Sequence, residues 1–285
     1  MKLLRYQEGA DACLGVLRND EIVPLSTLSA RFPTMMSIIL GGENALGEIA
    51  DLSKNADGAF PLHEAQLLAP IERPGKYMAI GMNFRKHIEE AKKLGITPPP
   101  NQFWFNKQTS CLSGPYADID PGVTEQLDYE VELGVVIGRA AKGVSEADAK
   151  AHVFGYTVVN DVSARDWQRH SPTFTMGKSF DTHGPVGPWI VTADEIPDPH
   201  VLNLRCLVNG ELRQNSDTSE LVYNVWQQIA YLSTAFTLEP GDLLATGTPS
   251  GVGIGMQPPR FLQPADVVRC EIDGIGAIEN RVMKK

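Results

Sequence analysis

A twelve-residue run places three acidic residues on one side of an apolar strand. The run is LDYEVELGVVIG, residues 127–138, and its acidic residues are Asp128, Glu130 and Glu132. Because alternate side chains of a strand point to opposite faces, one face would be apolar and the other would open with three carboxylates. These would lie about 7 Å apart and repel one another. The pattern predicts a cation among them, either a basic side chain or a metal ion. The alternative is an edge strand whose acidic face lies in water.

Composition limits the kind of partner. The chain has 285 residues, of which 42% are hydrophobic and 21% charged, as in an ordinary globular protein of one large domain or a large domain with a small companion. Its formal net charge of -10 argues against nucleic-acid binding, which needs a clustered basic surface. No uncharged apolar run approaches the length of a membrane span. We expect a small-molecule ligand, no nucleic acid and no membrane.

The cysteines indicate the compartment. Cys13, Cys111, Cys206 and Cys270 are scattered, with no C-x-x-C pair, which argues against a zinc ribbon or a disulfide framework. The N-terminus has no apolar segment of the signal-peptide type. We therefore expect reduced thiols and a cytoplasmic location.

The order of strand and turn patterns predicts two units. Residues 1–70 contain three short strand-like runs and form a small N-terminal domain, which ends where Pro70 and Pro74 interrupt any regular element. Residues 71–285 are rich in strands, with hairpin turns at Asn209-Gly210 and at 273–274.

Few helices are expected in the larger unit. The sequence predicts one helix starting at Ser145 and one over about residues 219–236. It also predicts a short helix within GMNFRKHIEEAKK, residues 81–93. The fold class is therefore α+β, mostly β.

Three further groups are candidates for chemistry. Asp161 follows the strand YTVVN and is either a third metal ligand or a turn or cap aspartate. His87 and Glu90 are three residues apart on the short helix, where a carboxylate can fix the imidazole as a general base; the alternative is a solvated helix. Two glycine-rich loops carry Lys178 and Thr248, and they either bind an oxyanion or are structural.

Together these segments resemble the fumarylacetoacetate hydrolase family. GMNFRKHIEE, FWFNK, LSGP, DYEVELGVVIG, NDVSARDWQ, GKSFDTHGPVGP and TGTPSGVG occur in the order and approximate spacing of that family, over about residues 70–282. The branch resembled is that of acylpyruvate hydrolases and 2-hydroxyhepta-2,4-diene-1,7-dioate isomerases. The resemblance implies a mixed β-sandwich roll with a small N-terminal α/β domain, and a homodimer.

The resemblance also assigns roles to matching positions. A divalent Mg²⁺ or Mn²⁺ ion, with Ca²⁺ possible in a crystal, would be held by Glu130, Glu132 and Asp161. The implied catalytic residues are a His–Glu dyad on a lid and two lysines: His87, Glu90, Lys107 and Lys178. The implied substrate contacts are Arg165, Gln168 and Thr248. Asp128 receives no role.

The implied activity is hydrolysis of a C–C bond in an acylpyruvate-like 1,3-diketo acid through a metal-bound enolate. The alternative is an oxaloacetate decarboxylase, or an isomerase of an unsaturated 2-oxo-dicarboxylate, on the same site. A third possibility, of another class, is a member that binds metal or ligand without turnover. One segment departs from the family: residues 169–177 read RHSPTFTMG where many relatives carry a Gly-Gln-Trp-like stretch. The substrate therefore cannot be transferred by analogy.

Overall fold

The structure, a computed structural model, describes residues 1–54 and 58–284. Within these ranges it forms eighteen strands and six α-helices. The strands are β1 (Lys2–Glu8), β2 (Asp11–Arg18), β3 (Glu21–Pro24), β4 (Phe60–Pro61), β5 (Gln66–Leu68), β6 (Tyr77–Gly81), β7 (Phe103–Lys107), β8 (Leu112–Ser113), β9 (Leu127–Asp128), β10 (Val131–Ile137), β11 (Val153–Asn160), β12 (Ser163–Ala164), β13 (Gly184–Thr192), β14 (Asn203–Val208), β15 (Glu211–Asp217), β16 (Leu243–Ala245), β17 (Val267–Ile272) and β18 (Gly276–Arg281). The helices are α1 (Met35–Lys54), α2 (Arg85–Lys93), α3 (Glu146–Ala149), α4 (Arg165–Gln168), α5 (Thr175–Lys178) and α6 (Val225–Ala235). None of the described helices is long and apolar enough to cross a membrane.

A large sheet positions the acidic run. Its strand order is β4-β3-β2-β1-β13-β11-β10-β16-β6-β7, with β5 added to β1 and β8 added to β13. Strand β10 is buried at all seven positions, because Val135 packs into one apolar core and Val136 into a second core on the other face. The edge-strand alternative is therefore wrong, and the acidic run lies inside the protein.

A second sheet covers the first core. Its order is β15-β14-β17-β18, and it contributes Leu204, Val268 and Ile272 to that core. Both predicted hairpins are confirmed: Asn209-Gly210 joins β14 to β15, with positive φ at both residues, and residues 273–275 join β17 to β18. The result is the predicted mixed α+β fold with several sheets.

The N-terminal segment contains a helix that the sequence did not predict. Strands β1–β3 are confirmed, but α1 occupies most of the stretch that follows them. Its buried residues keep a helical spacing, but Gly41, Gly42 and Gly47 make the stretch resemble a glycine-rich loop, and Gly42, at φ +53°, interrupts the helix. Because β1 also pairs with β13, residues 1–70 share the large sheet; the division into two domains remains a prediction.

The other helices test local patterns. Helix α2 is confirmed, and Ser145 caps α3 by accepting a hydrogen bond from the Asp148 N–H. The prediction of one helix over 219–236 is wrong at its start: residues 218–220 form a 3₁₀ turn, and α6 begins at Val225. The reason is a capping box between Asn224 and Gln227, which fixes the first turn six residues later than the apolar spacing suggested.

Candidate metal centre and active site

Strand pairing brings three carboxylates together. Val131 of β10 lies opposite Asn160 of β11, and one residue further out the Asp161 N–H donates to the Glu130 carbonyl, N to O 2.9 Å. Glu130, Glu132 and Asp161 are all buried, and one oxygen of each lies within 4.8 Å of the others. The ladder of the core sheet therefore fixes the predicted ligand set.

Two buried lysines neutralise part of this charge. Lys178 Nζ lies 2.7 Å from Glu130 Oε2 and 2.7 Å from Asp161 Oδ2. Lys107 Nζ donates to Asp161 Oδ1 at 2.6 Å, to the His183 carbonyl at 3.0 Å and to the carbonyl of Lys178. Burial alone would lower the pKa of Lys107, but the attractions of Asp161, Cys111 and Glu130 together outweigh it and raise that pKa. The acidic run was predicted to have either a basic side chain or a metal ion among its carboxylates. The basic side chains are present.

The third carboxylate is left without a cation. Glu132 Oε2 accepts the Gly247 N–H at 2.8 Å, and no described Lys, Arg or His forms an ion pair with it. Burial and the charges of Asp161 and Glu130 raise the pKa of Glu132 well above its usual range. For Glu130, burial is opposed by Lys178 and Arg165, and its pKa falls to about 2.

This imbalance fits a divalent cation. Three convergent carboxylate oxygens are the donors that Mg²⁺, Mn²⁺ or Ca²⁺ prefers. Such an ion would supply the positive charge that Glu132 lacks. If basic side chains already neutralised all three carboxylates, no metal ion would be required. Glu130, Glu132 and Asp161 are therefore the residues that would hold the metal.

Asp128, which received no role from the sequence, orients an arginine. Its Oδ2 lies 2.8 Å from Arg165 Nε, and its Oδ1 accepts the Gly253 N–H at 2.7 Å. It belongs to β9 and to no described metal cluster. Arg165 also contacts Glu130 Oε1 at 2.6 Å and Gln168 Oε1 at 3.1 Å. Asp128 thus links the loop after Gly251 to the arginine beside the metal ligands.

The predicted dyad forms on α2. His87 Nδ1 and Glu90 Oε2 are 2.9 Å apart, so that with Nδ1–H as donor the other ring nitrogen, Nε2, is free to accept a proton. Glu90 Oε1 also accepts the Gly251 N–H at 3.0 Å, which ties the helix to the opposite loop. Gly255 lies directly under this carboxylate: a Cβ there would come within 2.3 Å of Glu90 Cδ.

One cavity of about 550 Å³ joins the two sets of residues. Eight of the ten predicted site residues line it: His87, Glu90, Glu130, Glu132, Arg165, Gln168, Lys178 and Thr248. Lys107 and Asp161 lie buried behind the wall and reach it through Lys178. The structure therefore brings the predicted residues together, while their individual roles remain predictions.

Part of the wall comes from the segment that departs from the family. Phe174 and Arg169 both line the cavity. The Phe174 ring lies 5.0 Å from that of Phe103 and 5.9 Å from that of Phe105, between ring centres. Gly177 allows this loop to close on α4, since a Cβ there would meet the Gln168 nitrogen at 2.3 Å. The departure therefore falls on the substrate side of the site.

Thr248 is held by a residue, Gln214, that was not among the predicted site residues. Its hydroxyl donates to the Val131 carbonyl at 3.0 Å and accepts from Gln214 Nε2 at 2.8 Å. Gln214, on β15, is buried and its Oε1 accepts the Val131 N–H at 3.0 Å. Gln214 is 34 residues from Thr248 and 83 from Val131 in the sequence, so no local pattern could have indicated it.

Fold and site together are those of the fumarylacetoacetate hydrolase family, and the chain belongs to it. The family model described as "Fumarylacetoacetate (FAA) hydrolase C-terminal" matches residues 76–283.

Individual relatives include enzymes of more than one reaction type. The chain is 41% identical to a mitochondrial oxaloacetate tautomerase of Bos taurus over 266 residues, 92% of this chain and 84% of that one. It is 33% identical, with a TM-score of 0.83 and 99% of both chains covered, to maleylpyruvate hydrolase of Sphingobium sp. SYK-6 in complex with manganese (II) and pyruvate. It is 32% identical to 2-hydroxyhepta-2,4-diene-1,7-dioate isomerase of Mycobacterium marinum, with a TM-score of 0.79 and coverage of 100% and 99%. The predicted family branch is confirmed.

Proposed function

We propose that the protein is a Mg²⁺- or Mn²⁺-dependent hydrolase that cleaves a C–C bond in an acylpyruvate-like 1,3-diketo acid. The observation that carries this is the His87–Glu90 pair on the wall of the same cavity as Glu130 and Glu132. A base next to a cation site is what activation of water beside a polarised carbonyl requires. The manganese in the maleylpyruvate hydrolase structure supports the choice of metal.

The chain's own residues would divide the reaction between them. The bound cation would polarise the oxygens of the oxo acid as a Lewis acid. His87 Nε2 takes a proton from water as the water oxygen bonds to the distal carbonyl carbon, and Glu90 stabilises the imidazolium. When the C–C bond breaks, its electron pair remains on the carbon of the pyruvate fragment, which takes the proton held by His87. The products are pyruvate and a second carboxylic acid.

The remaining residues bind and orient. Lys178 lies on the cavity wall against Glu130 and keeps that carboxylate ionised. Arg165, fixed by Asp128, presents a cation to the substrate carboxylate, with Gln168 beside it. We propose Thr248 as a third contact; because its hydroxyl hydrogen goes to Val131, it would act as an acceptor or through its backbone.

Oxaloacetate tautomerisation is the second candidate, and the Bos taurus relative's name favours it. The same base would move a proton between carbon and oxygen of a 2-oxo acid, with no bond between carbons broken. Decarboxylation of oxaloacetate and isomerisation of an unsaturated 2-oxo-dicarboxylate use the same groups. The acidic triad is common to all four reactions and therefore does not choose among them.

Product analysis tests the choice. The purified protein is incubated with acetylpyruvate, fumarylpyruvate and oxaloacetate, with Mg²⁺, with Mn²⁺ or with EDTA; products are identified by mass, and the enol form of oxaloacetate is followed by its ultraviolet absorbance. Metal-dependent release of pyruvate and a second acid supports the hydrolase. Accelerated decay of enol-oxaloacetate without cleavage would move the assignment to tautomerase, and carbon dioxide to decarboxylase. Metal binding with no turnover in any assay would favour a binding protein.

Assembly and location complete the proposal. We propose a homodimer, as in the family, which light scattering of the eluted protein checks directly. The four cysteines are free thiols, which supports a reducing compartment such as the cytoplasm. The mitochondrial location in the relative's name is an equally reducing alternative.

A further inference from the structure

Arg169 is a cation of the cavity wall that no carboxylate neutralises. Its Nη2 donates to Gln126 Oε1 at 2.7 Å and its Nε to the Arg165 carbonyl at 3.3 Å. Within residues 1–54 and 58–284 it forms no ion pair, and Nη1 has no hydrogen-bond partner. The two bonds fix the plane of the guanidinium and leave one edge of it available.

The other two cations of the cavity lie beside the acidic triad and form ion pairs there. Arg165 is paired with Asp128 and Glu130, and Lys178 with Glu130 and Asp161. Arg169 contacts neither Glu130 nor Asp161, and its two bonds go to Gln126 and to the Arg165 carbonyl, so no carboxylate of the triad takes up its charge. A guanidinium with a free edge is a good match for a carboxylate, because its N–H groups fit the two oxygens.

The space between the metal ligands and Arg169 is large and partly apolar. The cavity of about 550 Å³ lies in the range of pockets that take ligands well above four carbons in size. Phe103, Phe105 and Phe174 form an aromatic surface on its wall, and Leu94 and Ile96 add aliphatic area. A substrate that filled it would place carbon chain against these side chains.

We propose that Arg169 is a specificity-determining residue that binds the distal carboxylate of a 2-oxo-dicarboxylic acid with a chain of more than four carbons, packed against the three phenylalanines. This rests on the proposed function, since it assumes that the oxo-acid end lies at the acidic triad. It also gives a role to the segment 169–177, which departs from the family and supplies both Arg169 and Phe174.

Binding of matched, unreactive acids tests the site without relying on turnover. 2-Oxoadipate and 2-oxohexanoate have the same chain length, and only the first carries a second carboxylate. Calorimetry with the Mg²⁺-loaded protein should show the diacid binding about 10- to 100-fold more tightly, the range expected for a hydrogen-bonded charge pair. Arg169→Gln should reduce this ratio to near one, and Arg169→Lys should keep part of it. Arg269→Gln, outside the cavity, is the control for loss of one positive charge.

Turnover of two matched diketo acids provides a second test of the carboxylate site. Fumarylpyruvate and 2,4-dioxohept-5-enoate differ only in the terminal carboxylate and methyl group, and Arg169→Gln should raise KM for the first and leave the second unchanged. Equal binding of both acids by the wild type, or an unchanged ratio in Arg169→Gln, would overturn the proposal. An intact binding ratio with no cleavage of either diketo acid would instead overturn the hydrolase function and leave the carboxylate site in place.

Discussion

The two sides of the cavity are built in different ways. On the metal side, Glu130, Glu132 and Asp161 come from the ends of paired core strands and are almost fully buried. On the base side, His87 and Glu90 lie on the short helix α2, and each side chain is 16% exposed. A core ladder places the metal ligands, whereas side-chain bonds to loops place the base.

This difference separates a part that the core sheet holds from a part that side-chain contacts hold. The carboxylates remain close in spite of their repulsion because the sheet holds them, which prepares a cation site before the ion arrives. Helix α2 is held to the opposite loop by the bond from the Gly251 N–H to Glu90, and that bond must break for the helix to move away.

The largest expected effect is on the metal side. Glu132→Gln removes a ligand without changing its size, and we expect activity to fall by more than about 100-fold, since even residues that only orient ligands are worth about 10- to 100-fold. Without metal the variant should melt at a higher temperature than the wild type near neutral pH. The raised pKa of Glu132 in the folded protein means that its ionisation destabilises the fold above its unfolded pKa, and glutamine does not ionise.

Thermal unfolding with Mg²⁺ and with EDTA measures both effects. The wild type should gain stability from Mg²⁺ and the variant should not. The assignment of Glu132 as a ligand would be wrong if the Mg²⁺-dependent shift were as large in the variant as in the wild type.

The next effect separates the base from the metal. His87→Ala should lower kcat by about 10² to 10⁴-fold, the contribution of a positioned general base, and should leave the Mg²⁺-dependent thermal shift intact. Glu89→Ala is the matched control, because Glu89 is on the same helix and its side chain is 66% exposed. A kcat within a few-fold of wild type in His87→Ala would remove the dyad from the mechanism.

The comparison also shows what the sequence could predict. The alternation of Glu130 and Glu132 predicted carboxylates on one strand face with a cation among them, but it left a water-exposed edge strand as the alternative, because alternation fixes the face and not its burial. The His87–Glu90 spacing predicted their contact, because residues three apart share a face of a helix. Both patterns are local. The structure confirms that the carboxylates converge and that His87 contacts Glu90.

Features that depend on distant segments could not be predicted. Gln214 reaches Val131 from another sheet, and Asp128 has its partner Arg165 on α4, so neither has a local pattern. The predicted start of α6 was wrong because the capping box between Asn224 and Gln227, and not the apolar spacing, determines where the helix begins. Helix α1 was missed because Gly41, Gly42 and Gly47 give its sequence the composition of a loop.

A substitution at Gly255, which lies against Glu90, should have a smaller effect on kcat. Gly255→Ala would place a methyl group where Glu90 lies, and should displace the dyad enough to lower kcat by about 10- to 100-fold, since misplacement by about 1 Å has that effect. Metal binding should not change. Gly47→Ala is the control: nothing lies within 4 Å of its Cβ, and on α1 it should add about 0.5–1 kcal/mol of stability. Unchanged kinetics in Gly255→Ala would show that Glu90 does not depend on this contact.

The last prediction concerns His183, which lies behind the metal side of the cavity, and its expected effect is on stability. His183 is buried against Phe180, with Nε2 2.9 Å from the Asp120 carbonyl, and its own carbonyl accepts from Lys107. Burial, and then the charge of Lys107, lower the pKa of His183 to about 4, in spite of the nearby Asp161 carboxylate. Because the folded protein binds this proton less well than the unfolded chain, the histidine's contribution is complete above about pH 6.5 and is lost as the pH falls toward 4.

His183→Gln keeps an N–H donor for Asp120 but does not titrate. Between about pH 6.5 and 4 the wild type should therefore lose more stability than the variant, by on the order of 3 kcal/mol at most. Chemical denaturation at several pH values, with EDTA present in every sample so that metal release does not contribute, measures the two slopes. Parallel slopes would mean that the folded protein and the unfolded chain bind this proton equally well, so that His183 is less tightly buried than the structure indicates.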